Sequence, residues 1–127
     1  MTSNTKIFTV KEANLTLPLV RRIVADILAT GSRIRELTFE KGREAQDDRD
    51  VNELLDRLDE HFEELEELGC MYKDWNFTTG LVDFPAVLNG REVFLCWRTD
   101  EPSVTHYHDL DAGYPGRKPI PSELLVS

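Results

Sequence analysis

The spacing of the apolar residues changes near Gly69, and this change constrains the fold more than any other feature of the sequence. From about residue 10 to residue 69, apolar side chains recur at the intervals of amphipathic helices. After Gly69 they form short runs that are typical of buried strands. We expect one domain over residues 1–127, with a helical hairpin over about 10–69 and a sheet with a Gly- and Pro-rich tail over about 70–127. The predicted class is α+β, an N-terminal antiparallel helical hairpin packed on a small antiparallel β-sheet.

Local signals predict where the first helices begin and end. Thr9 and Glu12 have the spacing of a capping box, so a helix should begin near Val10. Pro18 cannot donate a helical hydrogen bond and clashes with the preceding turn. The sequence therefore predicts a short helix, a bend, and a long helix from about Pro18 to Phe39.

The next helix is predicted over about Val51 to Leu68, with Gly69 as its left-handed cap. The charged stretch from Lys41 to Asp50 has no apolar periodicity, which indicates an exposed loop or frayed helix ends. A glycine inside the long helix, Gly31, is expected to permit close contact with another helix rather than to mark a functional site. Two amphipathic helices joined by a short polar connection form an antiparallel hairpin.

The acidic side chains are concentrated in one segment. The net charge is −9 overall, and the segment from Glu40 to Glu67 alone holds 13 acidic and 4 basic residues. This surface either keeps the protein soluble or meets a basic partner or cations. An acidic chain without a basic stripe is a poor nucleic-acid binder, because phosphate contacts supply most of that affinity. We therefore expect no nucleic-acid partner.

Two further classes are excluded by what the sequence lacks. It has no apolar stretch of about 20 residues to span a membrane. The first nine residues lack the apolar core of a secretory signal, so we expect a cytoplasmic protein.

Cys70 and Cys96 lie 26 residues apart without a CxxC motif, so both are expected to be reduced, buried thiols.

The second half of the chain predicts an antiparallel sheet built around Asn89-Gly90, a strong hairpin signal. The strand after this turn, Val93 to Trp97, is apolar on both faces and should be central. Pro85 lacks an N–H and places its strand at an edge or a bulge. Further strands are predicted at Val104 to His108 and at Cys70 to Lys73, and loop is predicted from Asp109 onward.

Eight short segments of the chain carry a resemblance to a known family. They are Phe8-Thr9, Glu12-Ala13-Asn14, Leu17 to Val20, Gly80 to Ala86, Gly90 to Val93, Leu95 to Trp97, His108 to Tyr114 and Gly116 to Ile120. Together they resemble an uncharacterised bacterial family, number 2203 among the domains of unknown function. The resemblance covers nearly the whole chain but brings no established activity. It implies a histidine at His108, whereas His106 is not part of the family's pattern.

One candidate site is a metal centre. His106 and His108 project to the same face of a strand, and Asp111 follows the strand end in the pattern His-x-His-x-x-Asp. Imidazole nitrogens with a carboxylate suit Zn²⁺ or Fe²⁺. The same spacing also occurs in ordinary solvent-facing strands. No cofactor motif is present, so zinc or iron enters only through this alternative.

The second candidate is a small polar pocket that needs no metal, formed by Asp83, Arg98, His108, Asp111 and Arg117. Arginine pairs with a buried carboxylate bidentately, so Asp83/Arg98 or Asp111/Arg117 pairs would be structural. Alternatively, the arginines and the backbone N–H groups of the glycine-rich tail hold a small anion.

These observations predict a cytoplasmic binding or interaction module with a small polar pocket in its C-terminal half. We also expect a homodimer through the long helices, because a domain this small leaves apolar faces to cover. The alternative is a small metal-dependent enzyme that uses His106, His108 and Asp111, with Asp83 as a possible base.

Overall fold

Two packed helices form the first half of the chain in the computed structural model, which describes residues 6–74 and 77–126. Helix α1 spans Val10–Lys41, helix α2 spans Arg49–Leu68, and the 3-10 helix Gly42–Asp47 joins them. This confirms the predicted helical hairpin. None of the described helices is long and apolar enough to cross a membrane. The predicted lack of a secretory signal concerns a segment whose residues 1–5 lie outside the described residues.

The helix ends follow the local sequence signals. The Glu12 N–H donates to Thr9 Oγ1 at 3.0 Å, and the Thr9 N–H donates to Glu12 Oε1 at 2.9 Å, which completes the capping box. At the end of α2, Gly69 has a φ of 97°, and its N–H donates to the carbonyl of Glu66. Both boundaries are confirmed because each depends on contacts within one helical turn.

The predicted division into a short and a long helix at Pro18 is wrong, because α1 runs without a break from Val10 to Lys41. Pro18 lies on the exposed face, where water can replace the lost hydrogen bond to the carbonyl of Asn14. Leu17 and Val20 on either side of Pro18 are buried in the core and hold the two parts of the helix on one surface. Packing therefore outweighs the cost of the proline.

The acidic helix α2 buries one narrow face, through Val51, Leu58 and Leu65. Leu55, which the helical spacing also places on this face, is 42% exposed and lies outside the core. The segment before α2 forms a 3-10 helix with Ala45 buried, where the sequence indicated a loop or frayed helix ends.

Among the described residues after α2, five antiparallel strands lie in sequential order across one sheet. They are β1 Met71–Tyr72, β2 Leu81–Leu88, β3 Arg91–Arg98, β4 His106–Asp109 and β5 Lys118–Pro119. The pairing of β5 with β4 corrects the prediction of loop from Asp109 onward.

The predicted hairpin and central strand are both confirmed. Asn89 and Gly90 have φ angles of 52° and 78° and connect β2 to β3, the middle strand of the sheet. The Pro85 carbonyl accepts a hydrogen bond of 2.7 Å from the Phe8 N–H. Because the N and O of one strand residue point the same way, the Pro85 nitrogen also faces away from β3, on the side of β2 where β1 does not pair with it.

The helices cover one face of the sheet, which we call the inner face. On β2 and β3, alternate residues such as Val82, Phe84, Leu95 and Trp97 are fully buried there with residues of α1. The residues between them must point to the opposite, outer face. Asp83, Cys96 and His108 belong to that second set.

Gly31 permits the predicted close contact, although the neighbour is a loop residue and not another helix. A Cβ atom at Gly31 would lie 2.7 Å from Cγ of Phe77, which is closer than van der Waals contact. The aromatic ring therefore sits directly on the α1 backbone.

Candidate functional site

Three buried polar side chains lie together on the outer face, one on each of the three middle strands. Asp83 on β2 is 3% exposed, Cys96 on β3 is 1% exposed and His108 on β4 is 3% exposed. Asp83 is directly opposite Cys96, and His108 is opposite Phe94 on the other side of β3. One donor atom from each of the three lies within 4.8 Å of the other two.

His108 uses both ring nitrogens. Nε2 lies 3.0 Å from Asp83 Oδ2, and Nδ1 lies 2.8 Å from the backbone carbonyl of Asp109. A carbonyl only accepts hydrogen bonds, so Nδ1 carries a proton and donates it. Nε2 and the Asp83 carboxyl then share a single further proton. Burial raises the pKa of Asp83, although the positive charge of His108 opposes this shift.

Cys96 is a protonated thiol at neutral pH. Burial, and after it the negative charge of Asp83, raises the pKa of the thiol to about 11, although the Arg117 guanidinium acts in the opposite direction. The other cysteine, Cys70, is also buried and free, which confirms the prediction of two reduced thiols. Cys96 is therefore not an activated nucleophile in this state.

A cavity of about 250 Å³ opens onto the three buried side chains. The turn after β4 contributes Leu110, Gly113 and Tyr114 to its wall, and Lys73 lies at its rim on the other side. This cavity lies in the C-terminal half of the chain, at the outer face of the sheet.

Two of the predicted ligand-binding residues, Asp83 and His108, meet in this cavity, whereas the two arginines pair elsewhere. Arg98 Nε donates to Asp100 Oδ1 at 2.6 Å, and its Nη1 bonds the Tyr114 hydroxyl. Arg117 Nη2 donates to Glu101 Oε1 at 2.6 Å and to the Cys96 carbonyl at 3.0 Å.

The predicted Asp83/Arg98 and Asp111/Arg117 pairs are therefore wrong. Each arginine has a nearer carboxylate supplied by the turn between β3 and β4. Asp83 pairs with His108 instead, and Asp111 lies exposed in the turn that follows β4.

The metal triad His106, His108 and Asp111 is not assembled as predicted. His106 and His108 do share the outer face, but His106 Nδ1 lies 2.9 Å from Thr105 Oγ1 and 3.5 Å from Glu101 Oε2. Within residues 6–74 and 77–126, the one group of three clustered donors is Asp83, Cys96 and His108.

Sequence reasoning missed Cys96 as a member of the site, although a signal was present. Across the two-residue turn Asn89-Gly90, the register pairs Leu88 with Arg91 and, further along, Asp83 with Cys96. The hairpin alone thus places this thiol beside Asp83. Nothing as local predicts the register of β4, which brings in His108.

Comparison with known proteins gives a family and no activity. The family model described as "Uncharacterized conserved protein (DUF2203)" matches residues 6–120, nearly the whole chain. No curated protein and no solved structure matches.

Proposed function

The chain belongs to the DUF2203 family of uncharacterized conserved proteins, and from the geometry of its cavity we propose that it is a binding module for a small anionic ligand. The ligand occupies the cavity above the outer face of the sheet. The observation that carries the proposal is the charge of the cavity wall. The cytoplasmic location expected from the sequence is part of this proposal.

The wall carries a net positive charge. Asp83 and His108 share a proton and are neutral as a pair, whichever atom holds it. The Cys96 thiol is also neutral, because burial raises its pKa to about 11. Lys73 is then the charged group among the described residues that line the cavity. An ammonium at the rim attracts an anion, and the partly apolar wall strengthens that attraction by excluding water.

The size of the cavity suits a ligand of a few heavy atoms. A volume of about 250 Å³ holds roughly eight waters at about 30 Å³ each. A short carboxylate or an inorganic oxyanion fits within this volume. Leu110 and Phe94 supply apolar wall that suits the carbon end of a carboxylate.

The proposal is tested by titrating ¹⁵N-labelled protein with acetate and with inorganic phosphate and following the amide resonances. We expect saturable shifts that cluster at Phe94, Leu110 and Gly113, and affinity at least about tenfold weaker in Lys73→Met. Lys11→Met is the matched control, because Lys11 is exposed on α1 away from the cavity. Shifts that are scattered over the surface, or that are equal in Lys73→Met and Lys11→Met, would refute the proposal.

A homodimer remains a separate prediction and is not needed for this binding site. The alternative of a metal-dependent enzyme loses the triad His106, His108 and Asp111 on which it was based.

A further inference from the structure

We propose that Asp83, Cys96 and His108 form a mononuclear binding site for a borderline-soft divalent cation, with Zn²⁺ as the preferred ion. The donors are a carboxylate oxygen, a sulfur and an imidazole nitrogen, all within 4.8 Å of one another and at most 3% exposed. Zinc accepts this combination of ligands, and the thiolate selects against Mg²⁺ and Ca²⁺. The inference rests on these buried donors and is independent of anion binding at Lys73.

His108 already has the tautomer and the orientation of a metal ligand. Its Nδ1–H donates to the Asp109 carbonyl at 2.8 Å, so Nε2, which lies 3.0 Å from Asp83 Oδ2, is the nitrogen left to bind an ion once the shared proton has been released. Metal-bound histidines almost always donate their second nitrogen to a carbonyl or a carboxylate in this way. The backbone of β4 therefore holds the ring in place before any ion arrives.

The separation between Asp83 and His108 requires little movement on binding, and the Cys96 donor atom lies within 4.8 Å of both. The Asp83 Oδ2 to His108 Nε2 distance is 3.0 Å, where two tetrahedral ligands at about 2.0 Å from zinc lie about 3.3 Å apart. On binding, the ion displaces two protons to solvent, the one that these two atoms share and the one on the Cys96 thiol. The three strands can thus keep their register while the side chains adjust.

Charge also favours a divalent ion. A carboxylate and a thiolate bring two negative charges, which a divalent cation cancels while the imidazole stays neutral. Such a site is neutral in total, as a buried site requires. Arg117, which acts to stabilise the Cys96 thiolate, donates to the carbonyl of the same residue.

Three protein ligands leave a fourth tetrahedral position, as in zinc sites that keep a water or bind a substrate. The three side chains line the cavity, so this position faces about 250 Å³ of open volume. The cavity also provides the path by which an ion enters.

The test is titration of metal-free protein with Co²⁺ and then with Zn²⁺. We expect one equivalent of Co²⁺ to bind and to give a thiolate-to-cobalt charge-transfer band in the near ultraviolet, and Zn²⁺ to displace it. Cys96→Ser should lose the band and weaken binding more than about 100-fold. Cys70→Ser is the matched control, since Cys70 is equally buried and lies outside the cluster, and it should keep both.

A second readout is independent of how well the Cys96 variant folds. In the wild-type protein in mild denaturant, Zn²⁺ should slow alkylation of Cys96 and not that of Cys70, as measured by mass spectrometry of the peptides. Absence of the band in the wild type overturns the proposal. Loss of binding in His106→Gln as complete as in Cys96→Ser overturns the choice of ligands. Failure of acetate or phosphate to bind leaves this site unaffected, so the two proposals are tested separately.

Discussion

Asn14 of α1 holds the segment before β4, and its removal should be among the more costly single changes at the border of the core. Its Oδ1 accepts a hydrogen bond of 2.7 Å from the Val104 N–H, and its Nδ2 donates to the Val104 carbonyl at 3.3 Å. Nδ2 also lies 3.2 Å from the carbonyl of Val10. One side-chain amide therefore satisfies both main-chain groups of a residue that is 1% exposed.

In Asn14→Ala both groups of Val104 lose their partner. A buried polar group left unsatisfied costs about 1–3 kcal/mol. The loss of the longer of the two bonds, at 3.3 Å, costs an amount at the lower end of this range. Alanine regains roughly 0.5 kcal/mol through its helix propensity. The net loss is about 2–3 kcal/mol. With an unfolding entropy of about 2.1 cal/mol/K per residue, 127 residues give a fall in Tm of roughly 8–11 °C.

The assay is thermal and urea unfolding followed by circular dichroism. The matched control is Asn52→Ala on α2, where the side chain makes one exposed hydrogen bond of 3.3 Å to the Gln46 carbonyl. That control should change the stability by less than about 0.5 kcal/mol. If Asn14→Ala lowers the Tm and the free energy of unfolding no more than Asn52→Ala does, Asn14 does not hold Val104 in place.

Four further predictions follow from single features of the structure. Gly31→Ala should destabilise the fold by about 1–3 kcal/mol in urea unfolding, because the new Cβ meets the Phe77 ring at 2.7 Å; unchanged stability would contradict this contact. Burial acts to raise the pKa of Glu101, but hydrogen bonds from Arg117 and from a backbone N–H outweigh it and lower the pKa below 4.5. The stabilising effect of the Glu101 carboxylate is therefore complete above pH 4.5 and is lost as the pH falls further. Glu101→Gln should lower the free energy of unfolding by about 1–2 kcal/mol at pH 7 and make its dependence on pH flatter below pH 4.5. Parallel pH dependences of the variant and the wild type would argue against the Glu101–Arg117 ion pair. Added salt should raise the stability in urea unfolding, because it screens repulsion within the acidic segment 40–67, and a flat response would count against such repulsion. Light scattering at micromolar concentration should give the molar mass of a dimer, and the molar mass of a monomer would refute the predicted homodimer.

Several elements of the fold were predictable because they depend on neighbours along the chain. Thr9 and Glu12 satisfy each other's backbone N–H groups within one turn. Asn89 and Gly90 accept the positive φ that a two-residue hairpin demands. The central position of β3 follows from apolar residues on both of its faces. In each case the energy that decides the structure lies within a few residues.

Pro18 shows where such reasoning fails. Its local cost is real, and a helix in isolation would break there. Leu17 and Val20 are buried in the same core as strand residues that are far away in sequence, and this burial keeps the helix continuous. The short strand β5 is a second example, because Lys118–Pro119 becomes a strand only by pairing with β4.

The candidate site divides in the same way. The sequence by itself identified Asp83 and His108 as candidate ligand-binding residues, and the register of one hairpin places Cys96 beside Asp83. Only the tertiary structure decided that His108 joins them and that His106, Asp111 and the two arginines do not. The reason is that a long connection joins β3 to β4, so packing determines the register of this strand pair. A two-residue turn, by contrast, determines the register of the two strands that it joins.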